Sequence, residues 1–126
     1  MVSQTGIYAL QAVLLLARTD GSQPRSAAAI AGELDLPANY LAKTLRRLRV
    51  EGVVSSSRGA HGGYRLAVAP SALSLARVLE PFEELRPGRT CLMGGTCDPD
   101  DPCSAHARWS SVTASAREML DTTTVA

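Results

Sequence analysis

The sequence contains few aromatic residues and no long apolar run. One Trp, three Tyr and one Phe make up 4% of its 126 residues, so we expect a core of Leu, Val, Ala and Ile. The longest apolar run, Ala12 to Ala17, is far shorter than the ~18–20 residues of a transmembrane helix. Residues 1–6 carry none of the basic residues that begin a signal peptide. These absences predict a cytoplasmic protein with no membrane contact.

Neither sign of charge dominates the whole chain, but the charge is unevenly distributed. The formal net charge is +1, with 20% charged residues, as in an ordinary globular domain. Residues 25–65 hold seven basic and three acidic groups, whereas residues 66–126 hold five basic and eight acidic groups. The first block predicts a surface for a polyanion. A solvated helix face would give the same excess, so the motifs have to decide.

Two short helices joined by a tight turn are predicted between Ser26 and Val50. Ser26 is a suitable N-cap for the first, and residues 35–37 form the turn. Pro37 opens the second helix, which stops at Gly52. This helix is amphipathic, with a basic outer face, as in a helix-turn-helix. Its buried stripe is Leu41, Leu45 and Leu48.

A β-hairpin is predicted directly after this basic helix. Its strands are 53–56 and 64–68, and the tip between them contains three glycines, which permit positive φ and close approach of a phosphate. Most glycine-rich hairpins are only turns, but this one follows a helix-turn-helix and so predicts a winged helix-turn-helix of about residues 26–68. The candidate DNA-binding residues are Asn39, Tyr40, Lys43, Arg46, Arg47 and Arg49 of the helix and Arg58, His61 and Arg65 of the wing.

These candidates have different expected roles on double-stranded DNA. We expect Asn39, Lys43 and Arg46 to enter the major groove, and the other arginines mainly to neutralise phosphates. His61 is either a phosphate contact or merely exposed, since it has no metal-binding neighbours in the sequence.

The remaining helices complete a mainly α fold with one small β-hairpin. A first helix is predicted over residues 3–19, with Ser3 as its N-cap and Ile7, Leu10, Leu14 and Ala17 on one face. Its other faces are apolar too, so we expect it to be buried on several sides. Another is predicted over 71–80. A last helix over 104–120, with Trp109, Val112, Ala116 and Met119 on one face, needs a packing partner in the first helix or a second subunit. The predicted organisation is a DNA-binding domain (1–85), a cysteine-rich loop (86–106), a dimerisation helix (104–121) and a tail (122–126).

All three cysteines lie within 13 residues, and a histidine follows. Cys91, Cys97, Cys103 and His106 have the spacing C-x5-C-x5-C-x2-H. In a cytoplasmic chain this clustering indicates metal or redox chemistry more than a structural disulfide. The spacing lacks the tight C-x2–4-C pairs typical of structural zinc and favours an iron–sulfur cluster. A metal-free thiol–disulfide switch stays open, as does a capping role for His106 in the first turn of the last helix.

The motifs resemble those of the Rrf-type winged helix-turn-helix transcriptional regulators, a family with iron–sulfur cluster sensors. The resemblance covers nearly the whole sequence, beginning with Tyr8-Ala9-Leu10. It continues through Tyr40-Leu41-x-Lys43 and through Gly62-Gly63-Tyr64-x-Leu66-Ala67 of the wing. The cysteine triplet and Cys103-x-x-His106-x-x-Trp109 complete it.

The resemblance implies a homodimeric regulator, most simply a repressor, whose operator binding responds to redox state, nitric oxide or iron–sulfur status. By this resemblance the three cysteines and His106 match the ligand set of the IscR-like branch, which holds a [2Fe–2S] cluster; a [4Fe–4S] cluster stays open. Another branch takes a carboxylate ligand from the partner's first helix, but no Asp or Glu precedes Asp20 here.

Three other functions were open on the sequence alone. The first is a metal-free thiol redox-switch regulator. The second is a cysteine-metabolism regulator acting through a partner enzyme, against which the intact cysteine triplet argues. The third is an enzyme, but the sequence has no nucleophile–base pair, phosphate loop or paired carboxylates, and Asp98, Asp100 and Asp101 are typical of a solvated loop. We therefore expect no catalytic residues.

Overall fold

A computed structural model of the chain describes residues 2–19, 23–87, 89–94, 98 and 100–126. This part of the chain is mainly helical, with one antiparallel two-stranded sheet, and it confirms the predicted fold class. Its elements, in chain order, are α1 (Gln4–Arg18), α2 (Ala27–Leu34), α3 (Ala38–Val50), β1 (Val54–Ser57), β2 (Gly63–Leu66), a 3-10 turn (Pro70–Ala72), α4 (Leu75–Leu79) and α5 (His106–Thr122).

The first helix begins where the sequence predicts. The hydroxyl of Ser3 accepts a hydrogen bond from the N–H of Gly6 at 3.1 Å and caps α1. On the face that carries Ile7 and Leu10, Ile7 is 41% exposed and Leu10 is half-buried. Because α1 is apolar on most sides, the sequence could not tell which face its neighbours cover. The fully covered residues are Gly6, Ala9, Ala12, Val13 and Leu16.

Helices α2 and α3 form the predicted helix-turn-helix. Ser26 caps α2 by accepting a hydrogen bond from the N–H of Ala29 at 3.1 Å. Asp35 then reverses the chain in the left-handed conformation, with φ 55°. Pro37 was expected to open α3, but it is the N-cap residue, one position before the helix. The predicted stripe of α3 is confirmed, since Leu41, Leu45 and Leu48 are all fully buried.

The wing is shifted slightly from its predicted bounds. Val54 pairs with Leu66, and Ser57 pairs with Gly63 at the tip. The backbone of Arg25 also exchanges two hydrogen bonds with Tyr64, of 2.9 and 2.7 Å. The chain just before α2 is therefore bonded to β2 near the tip of the wing.

The single helix predicted over residues 71–80 is wrong. The 3-10 turn ends at Ala72, and Leu73 is extended before α4 begins. The hydroxyl of Ser74 accepts a backbone N–H hydrogen bond and caps α4 as a separate helix. The carbonyl of Leu73 accepts a hydrogen bond from Val125 at 3.0 Å, so this backbone pairs with a distant segment instead of with the next helical turn.

Helix α5 packs on α4 through Thr113 and Leu120, which are buried. Of the face for which a partner is predicted in the first helix or a second subunit, Val112 and Met119 are 52% and 51% exposed, so α1 does not cover these two residues. Arg117 forms an ion pair with Glu80 at the end of α4, at 2.7 Å, and so holds this face of α5 against α4.

The segment expected to be a tail contacts the core. Thr124 forms an isolated β-bridge with Ser74, and the N–H of Leu75 donates to the carbonyl of Thr123 at 2.9 Å. Val125 is only 6% exposed and belongs to the main core cluster with α1, α2 and α3. The end of α5 is thereby attached to the DNA-binding part of the fold.

The core is aliphatic, as the composition predicts. The largest fully buried side chains of the described residues are all Ile, Leu or Val, and Tyr64 and Phe82 pack only at the edge. Leu10 contacts both the main cluster and a smaller one beneath α5. Among the described helices, none is both long enough and apolar enough to cross a membrane.

Candidate nucleic-acid interface and cysteine loop

The outer face of α3 carries the helical residues predicted to contact DNA. The leucine stripe packs this helix against α1 and α2, which leaves the opposite face in solvent. Tyr40 is 62% exposed, at the beginning of the helix. The other exposed candidates on α3 are Asn39, Lys43, Arg46, Arg47 and Arg49.

Of the cations on this face, Arg47 is paired within the chain, by an ion pair with Glu51 at 3.2 Å. Arg49 donates a long hydrogen bond of 3.4 Å to the hydroxyl of Ser56, which is neutral and leaves the charge of Arg49 uncompensated. Among the described residues, Lys43, Arg46 and Arg49 form no ion pair, so their charges are available to a polyanion.

The wing places three further predicted residues in solvent. Arg58, His61 and Arg65 are all exposed, the first two at the tip and the third on β2. Gly59, with φ 103°, has open space where a side chain would be, which leaves room for the predicted close approach of a phosphate. The wing and the outer face of α3 therefore both present cations to solvent.

The other two wing glycines are required by contacts within the chain. A Cβ atom at Gly62 would lie 2.3 Å from the carbonyl oxygen of Ser57. A Cβ atom at Gly63, where φ is 149°, would lie 2.4 Å from the carbonyl carbon of Arg25. Their role is therefore to close the hairpin and to let the segment before α2 approach it.

The cysteine loop leads from α4 to α5. Cys91 is half-buried and Cys103 is exposed, and both are free thiols. His106 is half-buried and is the first residue of α5. Its N–H donates to the carbonyl of Cys103 at 3.0 Å, so a single turn links the two, but Cys103 itself lies before the helix, whose N-cap residue is Ala105. Cys97 lies outside the described residues.

The described part of the loop does not by itself assemble a metal site. Among residues 2–19, 23–87, 89–94, 98 and 100–126, no three His, Cys, Asp or Glu side chains come together in a group that could hold a metal. Cys91, Cys103 and His106 are therefore not brought into one cluster of ligands. The donor types still fit the predicted group, because thiolates and imidazole are soft ligands for iron–sulfur clusters.

A tight ion pair lies just before the loop. The side chain of Arg86 forms hydrogen bonds of 2.8 and 2.6 Å with the carboxylate of Glu84, and its backbone N–H adds one of 3.0 Å. The side-chain hydrogen bonds, followed by the backbone one, lower the pKa of Glu84 to about 2. This carboxylate stays ionised under all ordinary conditions.

Two residues near these surfaces were not identified from the sequence as members of a site. Arg25 pairs with Glu33 through its side chain as well as with Tyr64 through its backbone. The indole of Trp109, expected only to pack, donates a hydrogen bond to the carbonyl of Thr90 at 2.9 Å. Both contacts join residues far apart in the sequence, and the spacing of residues along the chain gives no sign of either pair.

The helix-turn-helix of α2 and α3, the wing of β1 and β2 and the exposed cations on both are the features of a winged helix-turn-helix protein. The comparison with protein families identifies the family: residues 2–126 match the Rrf2 model, described as an iron-dependent transcriptional regulator. The chain belongs to the Rrf2 family of transcriptional regulators. This confirms the resemblance seen in the motifs, and the family assignment agrees with the prediction that the chain is not an enzyme.

Relatives and solved structures support the assignment. The chain is 32% identical to the HTH-type transcriptional regulator IscR of Escherichia coli over 108 residues, 86% of this chain and 67% of that protein. An HTH-type relative from Synechocystis is 43% identical over 77 residues, 61% of this chain, and the match spans about half (52%) of that protein.

Two solved structures share the fold over 99% of this chain. CymR of B. subtilis, titled the global cysteine regulator, has a TM-score of 0.78, 31% identity and 92% of its own chain covered. IscR of T. potens has a TM-score of 0.78, 32% identity and 82% of its own chain covered. The chain is thus similar to regulators of both names.

Proposed function

We propose that this protein is a cytoplasmic transcriptional regulator, most simply a repressor, whose binding to operator DNA is controlled by an iron–sulfur cluster. The observation that carries the DNA-binding part is the solvent-exposed outer face of α3, where Lys43 and Arg46 form no ion pair among the described residues. The cluster part rests on the cysteine loop and on the family's description as iron-dependent.

On DNA, the residues of α3 and the wing have separate tasks. Asn39, Lys43 and Arg46 read base edges in the major groove, with Tyr40 beside them at the beginning of the helix. The remaining cations bind backbone phosphates and so set affinity more than sequence preference. The residues assigned to phosphates are Arg47, Arg49, Arg58, His61 and Arg65.

In the loop, three thiolates and one imidazole hold the cluster. We assign Cys91, Cys97, Cys103 and His106 as its ligands, and [2Fe–2S] as its form, with [4Fe–4S] as the alternative. When bound, such a cluster supplies a redox-active and removable centre. The chain's own part is to attach the loop to α5, whose other end contacts the core through Val125.

We further propose that the protein acts as a homodimer formed through α5. Val112 and Met119 lie seven residues apart on this helix and are about half exposed. Positions seven apart share one face, so they form an apolar stripe that the described chain leaves uncovered. A second copy that covers this stripe would place two recognition helices on one duplex.

The experiment that tests DNA recognition compares Lys43→Ala with Arg77→Ala. Arg77 is exposed on α4, outside the proposed DNA interface, the cysteine loop and α5, and is the matched control. On an operator selected by the protein from random DNA, Lys43→Ala should cost about 1–3 kcal/mol of binding, and Arg77→Ala should change little. On unselected DNA the loss should be smaller. Equal losses for Lys43→Ala on both DNAs would make Lys43 a phosphate contact, and no loss would remove it from the interface.

A metal-free thiol switch is the second candidate function. It is favoured by the exposure of the Cys103 thiol and by the lack of a three-ligand group among the described residues. A solved structure of the oxidised form of CymR from Staphylococcus aureus covers 99% of this chain with a TM-score of 0.79. Protein isolated without oxygen separates the two: visible absorption together with iron and sulfide supports the cluster, and a colourless protein whose DNA binding still responds to oxidants supports the switch.

A further inference from the structure

The side chain of Trp109 connects two parts of the cysteine loop that are distant in sequence. Its indole Nε1–H donates to the carbonyl oxygen of Thr90, 2.9 Å away and 19 residues earlier. Thr90 directly precedes Cys91, and Trp109 lies in the first turn of α5. The bond therefore fixes the backbone beside Cys91 against the beginning of α5.

The other two described candidate ligands belong to this same end of α5. His106 is the first helical residue, and its N–H bonds to the carbonyl of Cys103 at 3.0 Å. Trp109 follows His106 by three residues, so the two side chains are neighbours on the helix surface. His106 is thus part of the helix and Cys103 lies in the turn that leads into it, whereas Cys91 is linked to this end of the helix through the hydrogen bond of Trp109 to the preceding residue, Thr90.

We propose that Trp109 is a positioning residue for Cys91: its indole N–H sets how far the Cys91 thiol lies from Cys103 and His106. This inference rests on the proposed role of Cys91 as a ligand, but the position of Cys91 can be measured in metal-free protein. Phenylalanine at position 109 keeps an aromatic ring and removes the donor. Loss of one hydrogen bond of ordinary net strength should lower, by about two- to tenfold, the population of the conformation in which the backbone beside Cys91 is bonded to α5.

The test measures how fast each thiol of the reduced, metal-free chain reacts with iodoacetamide, resolved by peptide mass spectrometry. In Trp109→Phe, Cys91 should react about two- to tenfold faster than in the unsubstituted protein, because Thr90, the residue before it, loses its hydrogen bond to the indole. Cys103 should react at an unchanged rate, because it is already exposed. A protein destabilised in general would instead show faster reaction at both thiols.

Arg117→Gln is the matched control. It removes the ion pairs of Arg117 with Glu80 at 2.7 Å and with Asp121 at 2.9 Å and leaves the hydrogen bond from Trp109 to Thr90 in place. Cys91 in this variant should react as in the unsubstituted protein. Equal acceleration of Cys91 in Arg117→Gln and Trp109→Phe would overturn the proposal, as would no acceleration in Trp109→Phe.

The unsubstituted protein provides an independent test, which holds even where Trp109→Phe does not fold. Trp109 is the single tryptophan of the sequence, so its indole N–H gives one signal in a nitrogen–proton correlation spectrum. We expect this proton to exchange slowly with solvent. Exchange as fast as in a free indole would contradict the bond on which the proposal depends.

This inference and the proposed function fail separately. Selective acceleration of Cys91 in a protein that never holds iron would keep the role of Trp109 and remove the cluster. Iron and sulfide in a protein whose Trp109→Phe variant leaves Cys91 unchanged would keep the cluster and remove the role of Trp109.

Discussion

Gly63 stands where the wing is closest to the segment before α2. A Cβ atom there would lie 2.4 Å from the carbonyl carbon of Arg25, at a φ of 149° that side chains rarely adopt. We expect Gly63→Ala to lower the free energy of unfolding by about 1–3 kcal/mol. Gly32→Ala is the control, because Gly32 lies within α2 with open space around it, and it should gain about 0.5–1 kcal/mol. Urea unfolding measures both, and equal effects would contradict the close approach.

The pair Glu84–Arg86 gives a prediction on pH dependence. Hydrogen bonds from Arg86 lower the pKa of Glu84 from 4.5 to about 2. Because the pKa of Glu84 is lower in the folded state than in the unfolded chain, the pair stabilises the folded state fully above pH 4.5. This contribution to the stability of the fold is lost as the pH falls toward 2. In Arg86→Gln we expect the pKa of the Glu84 carboxyl, followed by carbon NMR, to rise toward 4.5 without reaching it, because the backbone N–H of residue 86 still donates to it. A titration unchanged by this substitution would show that Arg86 is not the cause.

At the scale of single residues, the sequence correctly predicted features that depend only on nearby residues, namely the helix caps and the buried stripe of α3. Ser3 and Ser26 are caps as predicted, and the leucines of α3 are buried, because both depend on neighbours within one or two helical turns. The contacts of Arg25 and Trp109 reach partners 39 and 19 positions away. No periodicity in the sequence predicts pairs of residues so far apart. The candidate ligands could therefore be predicted, but the hydrogen bond of Trp109 beside Cys91 could not.

At the scale of elements, the failures occurred where a segment depends on a distant partner. The sequence predicts one helix over residues 71–80, but the extended Leu73 pairs with Val125 and Ser74 caps a shorter helix. Helices α1 and α5 were correctly predicted, but the sequence left open which neighbour covers each of their faces. Apolar residues occur on several sides of both, so the buried faces are decided by what packs against them.

The pairing of Val125 with Leu73 leads to a prediction about α4 and the end of α5. Val125 is 6% exposed, whereas Val50 at the end of α3 is 73% exposed. At about 0.8 kcal/mol per buried methylene, Val125→Ala should destabilise the protein by about 1.5 kcal/mol or more. Val50→Ala should stay within about 0.5 kcal/mol of the unsubstituted protein. Chemical unfolding that finds no difference between the two variants would contradict a packed C-terminal segment.

At the scale of the whole molecule, charge and packing separate the DNA-binding part from the part proposed to sense and dimerise. The excess of positive charge lies in residues 25–65, which contain α3 and the wing. The acidic remainder contains the cysteine loop and α5, with its uncovered Val112 and Met119. The sequence alone predicts this division. The net charge of a segment and the spacing of its apolar residues can be counted without knowing which distant residues it contacts.

The central claim is that the cysteine loop holds an iron–sulfur cluster in each chain of a dimer. Non-denaturing mass spectrometry on protein isolated without oxygen tests it most directly. We predict a dimer of the 13.3 kDa chain with two iron and two sulfide per chain for a [2Fe–2S] cluster. Cys103→Ser should lose that added mass, and His61→Ala should retain it. A dimer or monomer that carries neither iron nor sulfide, with all three thiols reduced, would contradict the account.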